Sequence, residues 1–292
     1  MALPANSPRR VPTTLKQLIE QTPAIPSMST AVLEVLRLAG DPDSSASHLA
    51  DAISVDAALA ARVLRLANSA YYGLPREVAT VQDAVTLLGR ATVRSVAMLA
   101  ASYPWFDAED EATAECNLWE HAVGVAAGAE VIVRRIDRRL ADEAFCAGLL
   151  HNIGMSVIVR WAADKVPTLI QFSVQKKLSF HETEKLVFGY NHMEVGSALG
   201  ADWNLPPRLL DCIAMHHEPS KLARTSLLVD AVHVADYLCK ALGIGLGAEN
   251  FTIQVDTSSM DRLGLTNPND LTRVQADLMS RFRSASELLE LT

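Results

Sequence analysis

Eight histidines, His48, His121, His151, His181, His192, His216, His217 and His233, are the side chains of this chain with the most chemistry to offer. Five share one kind of setting. His121 follows Trp119-Glu120 at the head of an apolar run, and His151 sits in Gly148-Leu149-Leu150-His151-Asn152-Ile153-Gly154. His192 opens His192-Met193-Glu194-Val195-Gly196, and the pair His216-His217 precedes Glu218-Pro219. Asp236 lies in a further apolar helical stretch. Imidazole and carboxylate groups on inward helix faces are how helical bundles build metal sites. One histidine on an apolar face is more often a hydrogen-bonded core residue. The set of five is what points to a metal. His48, His181 and His233 lack such a setting and are read as structural or exposed.

The elements that must position these groups are helices. Apolar residues recur at spacings of three and four through Val32, Leu33 and Leu36, through Leu49 and Ile53, and through Val81, Val85 and Leu88. Alternation of the strand kind is confined to Phe251–Val255, which reads as a short strand or an extended loop. Ser44 and Ser45 offer a cap, and Thr80 caps a helix that Gly89 ends. Tyr72-Gly73-Leu74-Pro75 reads as a turn. Tyr103-Pro104 closes a first block. The polar stretch 107–115 reads as a linker or helix start. Ala144–Val159 is the longest apolar run and reads as one buried central helix, too short to span a bilayer. Pro268 opens a last amphipathic helix to about Leu291. Its apolar stripe is expected to pack on the second block, with a homodimer seam as the alternative. Asn68 and Ser69 are read as groups that satisfy the last carbonyls of their helix and organise the next turn. With Arg62 or Arg65 they would otherwise line a ligand cleft.

The 292 residues carry 26 Lys and Arg against 34 Asp and Glu, a net charge of −8. That balance excludes the basic field of a general nucleic-acid binder, so no nucleic-acid partner is expected. Cys116, Cys146, Cys212 and Cys239 form no CxxC pair and sit among apolar residues, which suits buried free thiols in a reducing compartment. No secretory signal and no membrane span are read, and a cytoplasmic protein is expected.

Taken together, the stretches Pro23-x-x-Pro26, Arg62–Ser69 with Tyr72-Gly73, Ala84–Gly89, Trp119-Glu120-His121, Ala147–Gly154, His192–Gly196, Trp203–Pro206 and His216-His217 resemble a known family. The chain is similar to the HDOD branch of the HD-type metal-dependent phosphohydrolase superfamily, the output domains of bacterial signalling proteins. The resemblance covers roughly residues 15–240. It implies an all-α protein of two helical subdomains, the second an HD-like bundle. The expected division is a disordered lead-in over 1–13, an N-terminal subdomain over 14–106, the HD-like subdomain over 107–242, and a loop and packing helix over 243–292.

The resemblance also implies a ligand set. His121, His151 and Asp236 match the positions that bind metal in active relatives, and His192, His216 and His217 match the extra histidines of the binuclear branch. The sequence departs from that pattern at Asn152, where the family has aspartate. A neutral amide is a weak ligand and cannot supply a bridging negative charge. Met155 stands where cyclic-dinucleotide phosphodiesterases carry lysine, and Glu218-Pro219-Ser220-Lys221 replaces their GYP segment. The expectation is therefore a non-catalytic signalling module that binds a protein partner or small ligand. It requires no cofactor but retains a vestigial site able to take a divalent transition metal. The alternative is a metal-dependent phosphohydrolase acting on a nucleotide or phosphate ester.

Overall fold

The structure is a computed structural model that describes residues 11–22, 29–39, 44–68, 77–106, 118–245 and 255–289. It is all-helical, and no strand occurs among the described residues. The first part of the chain forms α1 (Leu15–Gln21), α2 (Thr30–Ala39), α3 (Ala46–Ser54), α4 (Ala57–Ala67), α5 (Val81–Leu88) and α6 (Arg90–Phe106). The second forms α7 (Leu118–Arg134), α8 (Ala141–Leu150), α9 (Ile153–Ala162), α10 (Val166–Lys176) and α11 (Phe180–Phe188). It continues with α12 (His192–Asp202), α13 (Pro207–Met215), α14 (Leu227–Leu242), α15 (Thr257–Arg262) and α16 (Pro268–Leu289). The turn at 72–75, the linker at 107–115, Ser69, Cys116 and residues 251–254 of the expected strand lie outside the described residues. Val255 has no regular structure.

Helix boundaries follow from caps. Thr80 accepts the amide of Asp83 at 3.0 Å, and Gly89, at φ 84°, ends α5. Ser45 and His48 form a reciprocal capping box at the start of α3. Ser179 with Glu182 and Asn191 with Glu194 do the same for α11 and α12. Asn68 does something other than cap its own helix. Its amide brackets Val78, donating to the carbonyl at 2.8 Å and accepting the N–H at 2.7 Å, and so closes the excursion between them. Helix α6 runs two residues past Tyr103-Pro104 before it ends.

α7 is the central element. It carries Gly124, Ala126, Ala127, Gly128 and Ala129, all buried, so neighbouring backbones come close on several sides. A Cβ on Gly148 of α8 would stand 2.7 Å from the Cα of Ala126, and one on Gly128 would stand 3.0 Å from the Cβ of Ala235 in α14. Helix α16 lies over α7 and buries Val274, Leu278 and Phe282, so the final apolar stripe packs on the second block. One continuous apolar core joins residues of α2–α6 to those of α7–α16. The Arg94–Asp142 ion pair, at 3.0 Å, ties α6 to α8.

A second, smaller core is built from α1 and residues 155–199. Leu18 is fully buried in it, and the Tyr190 hydroxyl donates to the carbonyl of Pro12 at 2.9 Å. Residues 11–13, expected within a disordered lead-in, are thus partly held by this contact.

The apolar run read as one buried helix is two. α8 stops at Leu150 and α9 starts at Ile153, with His151 and Asn152 in the turn between them. The stretch 138–162 is apolar and long enough to cross a membrane by length and composition, but 89% of it is buried inside the protein. The turn is held by contact between main chains. A Cβ on Gly154 would lie 2.0 Å from the carbonyl oxygen of His192 and 2.5 Å from the nitrogen of Gly196. Backbone cannot retreat as a flexible side chain can. We therefore expect Gly154→Ala to destabilise the protein by about 3 kcal/mol or more, at or above the usual cost of overpacking. Urea unfolding of the variant against wild type measures it, and a loss below about 1 kcal/mol would show that α9 and α12 can separate.

Candidate metal centre

The break between α8 and α9 is what presents His151 and Asn152 to the histidines of other helices. His121 comes from the second turn-equivalent of α7, His192 is the first residue of α12, His216 and His217 follow the end of α13, and Asp236 lies in the middle of α14. All six residues singled out in the sequence converge. They form two triads, His121–His151–Asp236 and His192–His216–His217, and within each the ligand atoms lie within 4.8 Å of one another. The two are contiguous. Ring centroids are 5.0 Å apart for His151 and His216, 5.4 Å for His121 and His151, and 4.1 Å for His216 and His217.

Hydrogen bonds fix which nitrogen of each ring faces the centre. A carbonyl can only accept, so a ring nitrogen bonded to one must carry the proton. His151 donates from Nδ1 to the carbonyl of Gly148 at 2.6 Å. His216 donates from Nδ1 to the carbonyls of Ile213 and Cys212, at 3.1 and 3.2 Å. In both rings Nε2 is then a bare lone pair. Both Nε2 atoms are buried with no hydrogen-bond partner, and so are both polar atoms of the Asn152 amide. His192 donates from Nδ1 to Glu184 at 2.6 Å, and Glu184 also accepts the His192 amide at 3.1 Å. A carboxylate behind a ligating histidine is a recurrent support of metal sites.

Asp236 stands between the triads. Its Oδ1 lies 2.9 Å from Nε2 of His121 and 4.0 Å from Nε2 of His151. Its Oδ2 accepts from Lys240 Nζ at 2.8 Å and lies 3.8 Å from Nδ1 of His217. The other nitrogen of His121 faces the carbonyl of Ile244 at 3.4 Å. Both neighbours of His121 are therefore acceptors, and a neutral ring can satisfy only one. A cation held between Nε2 and Asp236 would resolve this with the ring proton on Nδ1. The buried lone pairs of His151 and His216 and the unpartnered Asn152 amide fit a metal in the same way. Buried polar atoms without partners are rare unless a water or ion completes them.

Burial drives the His151 pKa down to about 4, against the pull of Asp236. Burial likewise holds His216 and His217 well below the ordinary imidazole range, and the neighbouring histidines add to it. Burial pushes Asp236 upward, but the Lys240 ammonium and the His121 contact outweigh it and hold the carboxyl well below the usual carboxylate range. The three cysteines described, Cys146, Cys212 and Cys239, are free and buried, as expected. Desolvation pushes Cys146 up to about 12.

The three histidines set aside have definite places. His48 accepts the Ser45 amide in its capping box. His233 donates from Nδ1 to the carbonyl of His216 at 2.7 Å and accepts the Asp256 amide at 2.8 Å, so it holds His216 from behind. The ring of His181 stacks on that of His217, with centroids 5.0 Å apart. The sequence reading missed Glu184 and Lys240. For Lys240 a signal existed, its spacing of four from Asp236 on one helix. For Glu184 there was none, because it reaches His192 from a different helix.

An HDOD domain matches this chain over residues 25–219. A solved structure from Shewanella amazonensis SB2B, named as a candidate phosphohydrolase, is 26% identical, with 95% of this chain and 97% of that one covered and a TM-score of 0.67. A candidate signal transduction protein from Marinobacter aquaeolei VT8 shares the fold, at 22% identity and a TM-score of 0.74, with 97% of this chain and 61% of that one covered. An uncharacterized protein of Treponema pallidum (strain Nichols) is 25% identical over 220 residues, which is 74% of this chain. The match spans 42% of that curated relative's length.

The depressed histidines make a prediction about acid stability. An unfolded histidine takes a proton near pH 6.5, whereas native His151 stays neutral down to about 4. Between those values the unfolded chain binds the proton and the native one does not. Stability is therefore intact above about pH 6.5 and falls as pH drops, by roughly 1.4 kcal/mol per pH unit for each such group. His216 and His217 act in the same direction. Urea unfolding of chelator-treated protein at pH 7.5, 6.5 and 5.5 should show this fall, and His151→Gln should flatten it. A stability unchanged across that range would contradict the buried, neutral assignment.

Proposed function

The chain belongs to the HDOD domain family. On that premise we propose that it is a non-catalytic signal-transduction output module, binding a protein partner or a small ligand, whose buried histidine cluster retains a divalent transition metal. Residues His121, His151 and Asp236 on one side and His192, His216 and His217 on the other would hold it. A bound dication supplies Lewis acidity and can acidify a bound water.

The observation that carries the non-catalytic reading is the closure of the centre. His151, His192 and His216 are 0% exposed and Asn152 is 2% exposed. A phosphate ester would have to reach groups that the surrounding helices already cover. The residues inside supply little of what hydrolysis needs. Asn152 brings no negative charge, Met155 is apolar, and Asp236 is bound to Lys240 rather than available as a base. A structural or sensing metal needs only the donors. The net charge of −8 fits a protein or small-molecule partner in the cytoplasm better than a nucleic acid. A second reading, a phosphohydrolase acting on a nucleotide or phosphate ester, draws support from the convergence of both triads.

Elemental analysis of tag-free protein purified without chelators tests the metal. A transition metal near about one equivalent is expected, and a well-folded, metal-free protein would reduce the cluster to packing. The same preparation should turn over no nucleotide, cyclic dinucleotide or simple phosphate ester with Mn, Fe, Co or Mg. Metal-stimulated hydrolysis abolished by His151→Ala would favour the second reading instead.

A further inference from the structure

Lys240 is an ammonium placed where a metal site should want none. It lies in the last turn of α14, one helical turn beyond Asp236, and the two side chains are only 7% and 5% exposed. Its Nζ takes Oδ2 of Asp236 at 2.8 Å while His121 takes Oδ1 at 2.9 Å. Asp236 is the sole carboxylate among the six converging residues. Both of its oxygens are therefore engaged, one of them by a full positive charge.

We propose that Lys240 stands in for the first metal of a two-metal centre: its ammonium takes the place of a cation at the His121–His151–Asp236 triad and directs a single dication to the His192–His216–His217 triad. This rests on the reading that the cluster holds a metal, and it specifies which half does so.

The charge count separates the halves. A dication at the first triad must use Asp236 as a ligand and so compete with Lys240 for it. It would also place two charges beside a third inside a poorly screened interior, where like charges repel strongly. At the second triad the donors are three imidazoles, and burial favours their neutral form. Seen from there, Asp236 and Lys240 form a pair with no net charge. The second triad also has its own buried anion, Glu184, which holds the Nδ1 proton of His192 at 2.6 Å. Asn152 supplies no bridging charge that would hold two cations together. Nitrogen-only donors select zinc, nickel, cobalt or copper over magnesium, calcium or manganese.

The test is reconstitution of chelated, full-length protein with Co²⁺ and with Zn²⁺, read by bound equivalents and by the cobalt d–d absorption. Wild type and Lys240→Arg should each bind about one equivalent, and Lys240→Met, which keeps the length and removes the charge, should bind about two. His192→Ala should weaken binding at least about tenfold, while His121→Ala should keep its one equivalent. A Lys240→Met variant that folds by circular dichroism and still binds one equivalent overturns the proposal. If that variant does not fold, the histidine variants decide: metal lost in His121→Ala and kept in His192→Ala overturns it equally. Wild type that takes up neither ion overturns the metal reading itself, and this proposal with it.

Discussion

Asp236 is a carboxylate removed almost wholly from water in the middle of a helix, and such a charge is tolerated only when it is closely paired. Leaving a buried ion without its partner costs several kcal/mol. The surrounding structure can be read as the answer to that demand. α7 brings His121 to one oxygen, and α14 itself brings Lys240 to the other. For both to arrive, α7 must lie close against α14. The glycines and alanines of α7 permit that approach, and they also admit α8 and α16.

A second layer of contacts decides what the histidines can do. Backbone carbonyls at the ends of α8 and α13 take the Nδ1 protons of His151 and His216, and Glu184 takes that of His192. Helix ends have spare carbonyls because their last turns lack intrahelical donors. Placing histidines there settles the tautomer and satisfies the helix end together. His233 extends the arrangement outward by holding the carbonyl of His216 and the amide of Asp256. The centre is therefore organised before any ion arrives, and its lone pairs point inward because their protons are held outward.

Much of this was legible in the sequence. The five histidines and Asp236 sit in apolar helical settings, and the helical period turns such residues inward. The caps at Ser45, Thr80 and Asn191 and the stop at Gly89 are short-range features, and residue type alone marks them. What escaped reading was of longer range or of ambiguous sign. Lys240 looks like an ordinary solvated lysine near a helix C-terminus, where a cation suits the dipole, and only the fold shows it buried. Glu184 reaches His192 across two helices. The break at His151-Asn152 was invisible because the turn keeps nearly helical angles, with His151 at φ −53° and ψ −38°, and composition cannot register a change of that kind. Asn68 was read as serving its own helix, and its partner is ten residues away.

The small core formed by α1 and residues 155–199 bears on how the chain reaches its structure during synthesis. Leu18 has its apolar partners there, and Pro12 meets Tyr190 across a separation of 178 residues. A ribosome extends the chain by roughly 5–20 residues per second. Residues 11–22 therefore emerge first and wait many seconds before the helices they cover exist. The first segment made is among the last to dock, and the closing of this core registers that the second half of the protein has already folded.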